Sequence, residues 1–169
     1  MRNNIRYLWP LHLILFFTNW LPDNVIFMKL RGWLSSFFFK KCGKNLMIGR
    51  NVTFYNPSKI EIGNSVYIAY GCWFLGAAQL IIEDEVMFGP YVVISPGNHT
   101  KVQGAFRNGP PVFQDITIGK GSWIGAHTTL VMGANVGKGS LIAANSVLNK
   151  QTETDSLYGG APAKFLKNI

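Results

Sequence analysis

Acidic residues are scarce in this chain. Eight Asp and Glu stand against sixteen Lys and Arg, a net charge of +8, and charged residues are only 14% of the 169. Disordered chains are rich in charge and poor in apolar residues, whereas 48% of this one is apolar. It is about one domain long and has enough apolar surface to bury a core. Cysteine is nearly absent: Cys42 and Cys72 are too few for a disulfide framework and lack metal-ligand spacing, which suits a reducing compartment. Histidine is limited to His12, His99 and His127, with no closely spaced pair, so a three-histidine zinc site lacks its ligands. Long apolar runs are missing too. Residues 8–21 are strongly apolar but amount to about 14 positions interrupted by Pro10 and His12, short of the roughly 20 a transmembrane helix needs. Thr18-Asn19-Trp20-Leu21 offers no small-residue cleavage site of the kind a signal peptide ends on.

The positive charge is unevenly placed. Residues 1–50 hold Arg2, Arg6, Lys29, Arg31, Lys40, Lys41, Lys44 and Arg50 against Asp23 alone, so this part carries +7 and the rest of the chain +1. Residues 5–41 also hold ten of the 23 aromatics, and read as helical with a break at Leu21-Pro22-Asp23. Pro22 is suited to open the second helix, where its missing N–H costs nothing. Ile26, Leu30, Trp33 and Phe37 then recur at helical spacing, with Lys29, Ser36 and Lys40 on another side. Such a segment packs on the rest of the chain, on neighbouring subunits, or on an anionic membrane surface with its lysines toward the headgroups. The predicted division is an N-terminal amphipathic helical segment at 1–44 and a second region at 45–169.

That second region has a different rhythm. Ile118, Ile124, Leu130, Val136, Ile142 and Leu148 fall six residues apart, and Ser122, Thr128, Ala134, Ser140 and Ser146 follow four positions after the first five. The pattern runs earlier in shifted phase through Ile48, Ile62, Ile68, Phe74, Leu80, Ile82, Phe88 and Ile94, with Cys72 at a small-residue position. A period of six matches neither the 3.6 of a helix nor the two of a hairpin sheet. It fits a short strand plus a tight corner, three of which close a triangular coil, with the aliphatic residue inward and glycine tolerating the bend at the corner. Stacked coils pair as parallel strands about 4.8 Å apart. About five coils fit from Ile48 to Lys150, leaving the N-terminal helices and a short helical tail over residues 158–169 as caps for the exposed ends. Residues 100–117 interrupt the rhythm, and long insertions in compact repeats are usually functional.

Three segments narrow the reading: Ser95-Pro96-Gly97-Asn98-His99, then Ile118-Gly119-Lys120-Gly121-Ser122-Trp123-Ile124-Gly125-Ala126, then Gly160-Ala161-Pro162-Ala163-Lys164. In this order they resemble the hexapeptide-repeat acyltransferases, and within them the O-acetyltransferases of the galactoside, maltose and colanic-acid type. The resemblance covers about residues 45–167. It implies a mainly β fold, a left-handed parallel β-helix, assembled as a homotrimer with acetyl-CoA in the groove between two prisms and no metal required. It implies that His99 is the catalytic base, a role that suits an imidazole titrating near working pH. Asn98 and Trp123 fall in its neighbourhood, and Arg107, with Lys101 and Pro110-Pro111, in the loop that walls the acceptor pocket. Residue by residue, Ala126 and Ala144 match positions whose backbone faces the pantetheine, Asn149 and Lys150 a Thr-Lys pair near the nucleotide end, and Lys164 and Lys167 basic residues that meet the phosphates.

The match has gaps. Where the galactoside-type enzymes carry an acceptor-side asparagine one coil before the histidine, this chain has Ala69, and their acidic contact near the N-terminus has no counterpart. His127 takes no family role and reads as a surface or interface residue. The resulting expectation is an acetyl-CoA-dependent O-acetyltransferase acting on a sugar hydroxyl in cell-surface polysaccharide or glycan synthesis, cytoplasmic or peripheral on the inner face of the membrane. The alternatives are an amine or small-molecule acceptor such as serine or a xenobiotic, a zinc protein like the γ-type carbonic anhydrases, and a non-catalytic trimeric scaffold. Nucleic acid is not an expected partner, because the basic residues are interleaved with an apolar face and form no polar stripe.

Overall fold

Each six-residue repeat contributes one short strand, and the strands stack into the three faces of a parallel β-helix. The computed structural model describes residues 3–169, so the first two positions of the expected N-terminal segment lie outside it. Face 1 stacks Lys41–Cys42, Ile60–Ile62, Leu80–Ile82 and Ile116–Ile118. Face 2 stacks Met47–Ile48, Tyr67–Ile68, Met87–Phe88, Trp123–Ile124, Leu141–Ile142 and Ser156–Gly160. Face 3 stacks Thr53–Tyr55, Trp73–Leu75, Val93–Ser95, Thr129–Val131 and Val147–Leu148. The prism makes about six turns, the one beyond the expected five coming from Ser156–Gly160. The first strand, Lys41–Cys42, pairs with Glu61 and Ile62, inside the stretch expected to be helical. Ile116–Ile118 is likewise strand, so the interruption ends before residue 117.

Every repeat aliphatic points inward: Ile118, Ile124, Leu130, Ile142 and Leu148 are fully buried. The earlier coils are filled by stacked rings, with Phe39–Phe54, Phe54–Phe74 and Phe74–Phe88 centroids 5.0, 5.1 and 5.2 Å apart. The small positions differ along the prism. Val66, Cys72, Val86 and Val92 serve the early coils, whereas Ser122, Thr128 and Ser140 are buried later and donate to carbonyls of the next coil: Ser122 Oγ to Gly137 O at 2.8 Å, Thr128 Oγ1 to Ala143 O at 3.1 Å, and Ser140 Oγ to Glu153 O at 2.8 Å. A buried hydroxyl with a partner avoids the cost of a lone one.

The glycines that follow the aliphatic residue do not make the bend. The left-handed backbone falls two residues later, at Asn45, Ser65, Glu85, Gly121 and Gly139 along one edge and at Asn51, Gly71, Tyr91, His127 and Asn145 along the next. The glycines answer a different constraint, the close approach of stacked corners. A Cβ on Gly125 would lie 2.5 Å from Ala144 N, and one on Gly49 2.8 Å from Ala69 C.

Helices α1 (Trp9–Thr18) and α2 (Val25–Ser35) close the first end of the prism. Asn24, not Pro22, starts α2: its Oδ1 accepts from Phe27 N at 3.0 Å, and Pro22 stays in the linker. Met47 N donates to Val66 O and Gly49 N to Ile68 O, so these residues face the second coil, and the alternate residue Ile48 turns its carbonyl to the open edge. Arg31, 1% exposed, answers that carbonyl and two more at the end of α1. Its guanidinium donates to Ile48 O, to Thr18 O at 3.3 Å and to Leu21 O at 3.1 Å, and pairs with Asp23 at 3.2 Å. The buried side of α2 is therefore Met28, Arg31, Gly32 and Ser35, and the apolar stripe Ile26, Leu30, Trp33 and Phe37 faces away from the chain. Neither helix is long and apolar enough to cross a membrane, among the described residues.

The other end is closed by a hairpin, not the expected helical tail. Gly160, at φ +101°, and Pro162 turn the chain back, and Ala163–Asn168 pairs antiparallel with Ser156–Gly160. An open strand edge with unpaired amides offers those six residues more hydrogen bonds than a single isolated helical turn would.

Candidate active site

The six-residue rhythm stops at the corner between faces 3 and 1 of the third coil. There Gly97–His99 leaves the prism and pairs antiparallel with Pro111–Phe113, His99 opposite Pro111. The loop at the tip is drawn shut where Thr100 Oγ1 donates to Pro110 O at 2.9 Å, and a Cβ on Gly109 would collide with Thr100 O. Lys101 lies 5.9 Å over the Phe106 ring, and Arg107 sits exposed in the single turn Phe106–Asn108. His99 is exposed, its backbone N–H held by Asn98 Oδ1 at 2.8 Å, and among the described residues no side-chain hydrogen bond reaches its imidazole.

Beside the base of this hairpin opens a cleft of about 350 Å³ lined by Gly97, Asn98, Val131, Met132 and Asn149. The coils stack Ser95 beneath Val131, and the corner above that carries Asn149 and Lys150. Asn98 and Asn149 are thus brought together, although 50 residues separate them. Val131 and Met132 were not expected here; the signal was their six-residue register over Ser95. Lys150 is exposed, its Nζ 6.0 Å from the Tyr158 ring.

The remaining expected residues lie elsewhere. Trp123, 51% exposed, points outward from face 2, between Met87 and Leu141. Ala126 and Ala144 stack one coil apart at the corner between faces 2 and 3, where Asn145 N donates to Ala126 O at 2.9 Å. Lys164 stands opposite Gly159 and Lys167 opposite Leu157, so both exposed lysines project on the same outward side as Trp123. Within one chain a corner faces the opposite way from the face across the triangle, so His99 and Trp123 do not meet. Ala69 is buried, its amide bound to Phe88 O, and offers nothing to a ligand. His127 stacks on Tyr91 at 5.0 Å on the surface, and His12 lies exposed on α1. Among the described residues no group of three or more His, Cys, Asp or Glu could hold a metal ion.

The family described as hexapeptide repeat of succinyl-transferase matches residues 115–150, the run of unbroken coils that carries Trp123. Galactoside O-acetyltransferase of Escherichia coli (strain K12) is 28% identical over 131 residues, 78% of this chain and 64% of that protein. A solved galactoside acetyltransferase in complex with coenzyme A superposes with a TM-score of 0.84 at 25% identity, covering 99% of this chain and 81% of that one. Over its repeats the chain is similar to the hexapeptide-repeat acyltransferases. A maltose O-acetyltransferase from Clostridium difficile 630 shares the fold, with a TM-score of 0.82 at 21% identity over 99% of this chain and 88% of that one. This hexapeptide-repeat chain is accordingly a left-handed parallel β-helix, against the usual right-handed crossover of parallel strands. It spans just under two thirds of the length of the E. coli relative.

Proposed function

We propose that the protein transfers an acetyl group from acetyl-CoA to a hydroxyl of a sugar or glycan, with His99 as general base. The observation that carries this is an exposed His99 on the hairpin whose base borders a cleft lined by Asn98 and Asn149. His99 takes the proton of the acceptor hydroxyl as its oxygen attacks the thioester carbon. It then gives that proton to the departing thiolate, leaving an acetyl ester and free coenzyme A. Asn98 and Arg107 border the acceptor side.

The donor site needs a second copy of the chain. Face 2 presents Met47, Tyr67, Met87, Trp123, Leu141 and Leu157 outward, and face 3 presents Tyr55, Trp73, Leu75, Val93, Val131 and Val147 with the small polar Thr53, Ser95 and Thr129. Face 1 presents Lys41, Glu61, Ile81 and Thr117. Two apolar outer faces and one polar face suit a closed cyclic trimer, in which face 2 of one copy meets the face 3 edge of the next. That arrangement brings Trp123 toward a neighbour's His99. The stacked Ala126 and Ala144 leave flat backbone for the pantetheine arm, and Lys164 and Lys167, with Asn149 and Lys150, fit phosphates and nucleotide. The coenzyme A complex of the galactoside acetyltransferase supports this donor. Free Cys42 and Cys72 fit a cytoplasmic setting, and surface polysaccharide or glycan synthesis is the role the acceptor chemistry suits. Incubating labelled acetyl-CoA with sugars, glycan intermediates and amines tests the reading. Label appearing as a base-labile ester on a sugar is expected; transfer to amines alone overturns the O-acetyl assignment.

A further inference from the structure

Eleven of the 22 large apolar side chains exposed among the described residues lie within residues 5–37, at the helical end of the prism. Trp9, Leu13 and Phe16 on α1, with Trp20 just past its end, form one stripe, and Ile26, Leu30 and Trp33 on α2, with Phe37 in the turn after it, form another. The second stripe lies opposite Met28, Arg31 and Ser35, which pack on the first coil, and points away from the prism, whereas Trp9, Leu13 and Phe16 border clefts that Thr53 and Phe54 also line. Trp20 is 78% exposed and Ile26 75%. Soluble surfaces scatter such residues singly; a contiguous patch rimmed by polar groups marks a docking face.

What surrounds the patch selects its occupant. Arg6, Lys29, Lys41 and Lys44 are exposed at this end and, among the described residues, have no ion-pair partner. The lone acid of the segment, Asp23, is engaged by Arg31 and Arg50. Lys29 and Lys44 flank a cleft of about 470 Å³ between α2 and the first coil, which Ser36, Asn45, Trp33 and Phe37 also line. It sets cationic and hydroxyl donors directly behind two exposed aromatics. A second copy offering the same patch would bring two +7 segments together, which is unfavourable. An anionic surface with an apolar interior satisfies both features, and helices of 10 and 11 residues lie within an interface without crossing it.

We infer that α1 and α2 dock the protein on an anionic lipid bilayer, tryptophans at the headgroup level and Lys29 and Lys44 on lipid phosphates. In the cyclic assembly proposed above, three such ends share one plane; that part rests on that reading, and the docking does not.

Flotation of the full chain with vesicles tests it, without coenzyme A or acceptor. Vesicles of phosphatidylcholine with phosphatidylglycerol should bind at least about tenfold more tightly than phosphatidylcholine alone, since each basic residue held near an anionic surface adds to the attraction. Binding should weaken as salt rises. Lys29→Glu with Lys44→Glu, and separately Ile26→Ser with Trp33→Ser, should each lose about tenfold or more while keeping the wild-type circular dichroism. These residues are exposed, so the variants can fold. Equal binding to both vesicles, no binding, or lipid-free self-association that Ile26→Ser with Trp33→Ser abolishes would overturn the inference. Vesicle binding without acetyl transfer would count against the enzymatic reading alone.

Discussion

Replacing Arg31 by Met keeps most of the side-chain volume and deletes every donor. The structure sets the scale. Ile48 O and Leu21 O lose the guanidinium, Thr18 O keeps only its bond from Leu21 N, and Asp23, about a quarter exposed, loses one of its two cations. An orphaned buried acceptor costs about 1–3 kcal/mol, and removing one partner of a buried ion pair about 3–5 kcal/mol. Some of the acceptors lie near the prism end and water can reach them, so we expect about 3 kcal/mol in total. Burial already pulls the guanidinium pKa down, with Asp23 pushing it back up, so the native site holds this charge at a desolvation cost and a neutral side chain recovers part of it. Urea unfolding followed by circular dichroism should show a clear drop in midpoint, and limited trypsin digestion should cut sooner near Lys29 if the helices peel off locally. Arg31→Lys, which keeps the charge but not the fork, should fall between. A Met variant within about 0.5 kcal/mol of wild type, with unchanged trypsin resistance, would refute the role given to Arg31.

Other outcomes follow from the same geometry. Under the proposed cyclic assembly, mixing His99→Ala and Trp123→Ala subunits, each impaired alone, should restore turnover at about a quarter of the sites under random assembly, since each proposed site draws the two residues from different copies; no recovery would overturn the shared-site proposal. Gly125→Ala should destabilise by about 1–3 kcal/mol in thermal or urea unfolding, since the added Cβ meets Ala144 N and backbone must move. Burial pushes the Cys72 thiol up to about 11, from 9.0. Its proton is lost from the unfolded chain first, so stability is full below about pH 9 and falls as pH rises toward 11, by up to ~1.4 kcal/mol per unit. Cys72→Ala should flatten that slope in unfolding measured across the window.

The prism was legible because its signal repeats: a residue at 118 and its equivalents at 124 and 130 face the same packing problem, and each solves it with an aliphatic side chain. The ends were not, since each is solved once. The hairpin at Ala163–Asn168 answers an open strand edge that only the stacked coils create, and Pro22 lost to Asn24 because a side-chain acceptor outweighs a permissive φ. Arg31 looked like one more basic residue, since the carbonyls it serves, Ile48 O on the coil edge and Thr18 O and Leu21 O at the end of α1, are brought together only by the tertiary fold. The glycines were visible but misread, as tolerance of a bend when the constraint is the neighbouring coil. At the candidate site, the Gly97-Asn98-His99 segment stood out by its motif, whereas Val131 and Met132 enter through stacking register and carry no polar mark.

Whether His99 is the base can be measured directly, by comparing turnover of labelled acetyl-CoA with the acceptor identified from the panel, for the wild type and His99→Ala. The variant should bind coenzyme A as before and transfer about 10²–10⁴-fold more slowly, the contribution of a positioned general base. Full turnover by that variant would contradict the account.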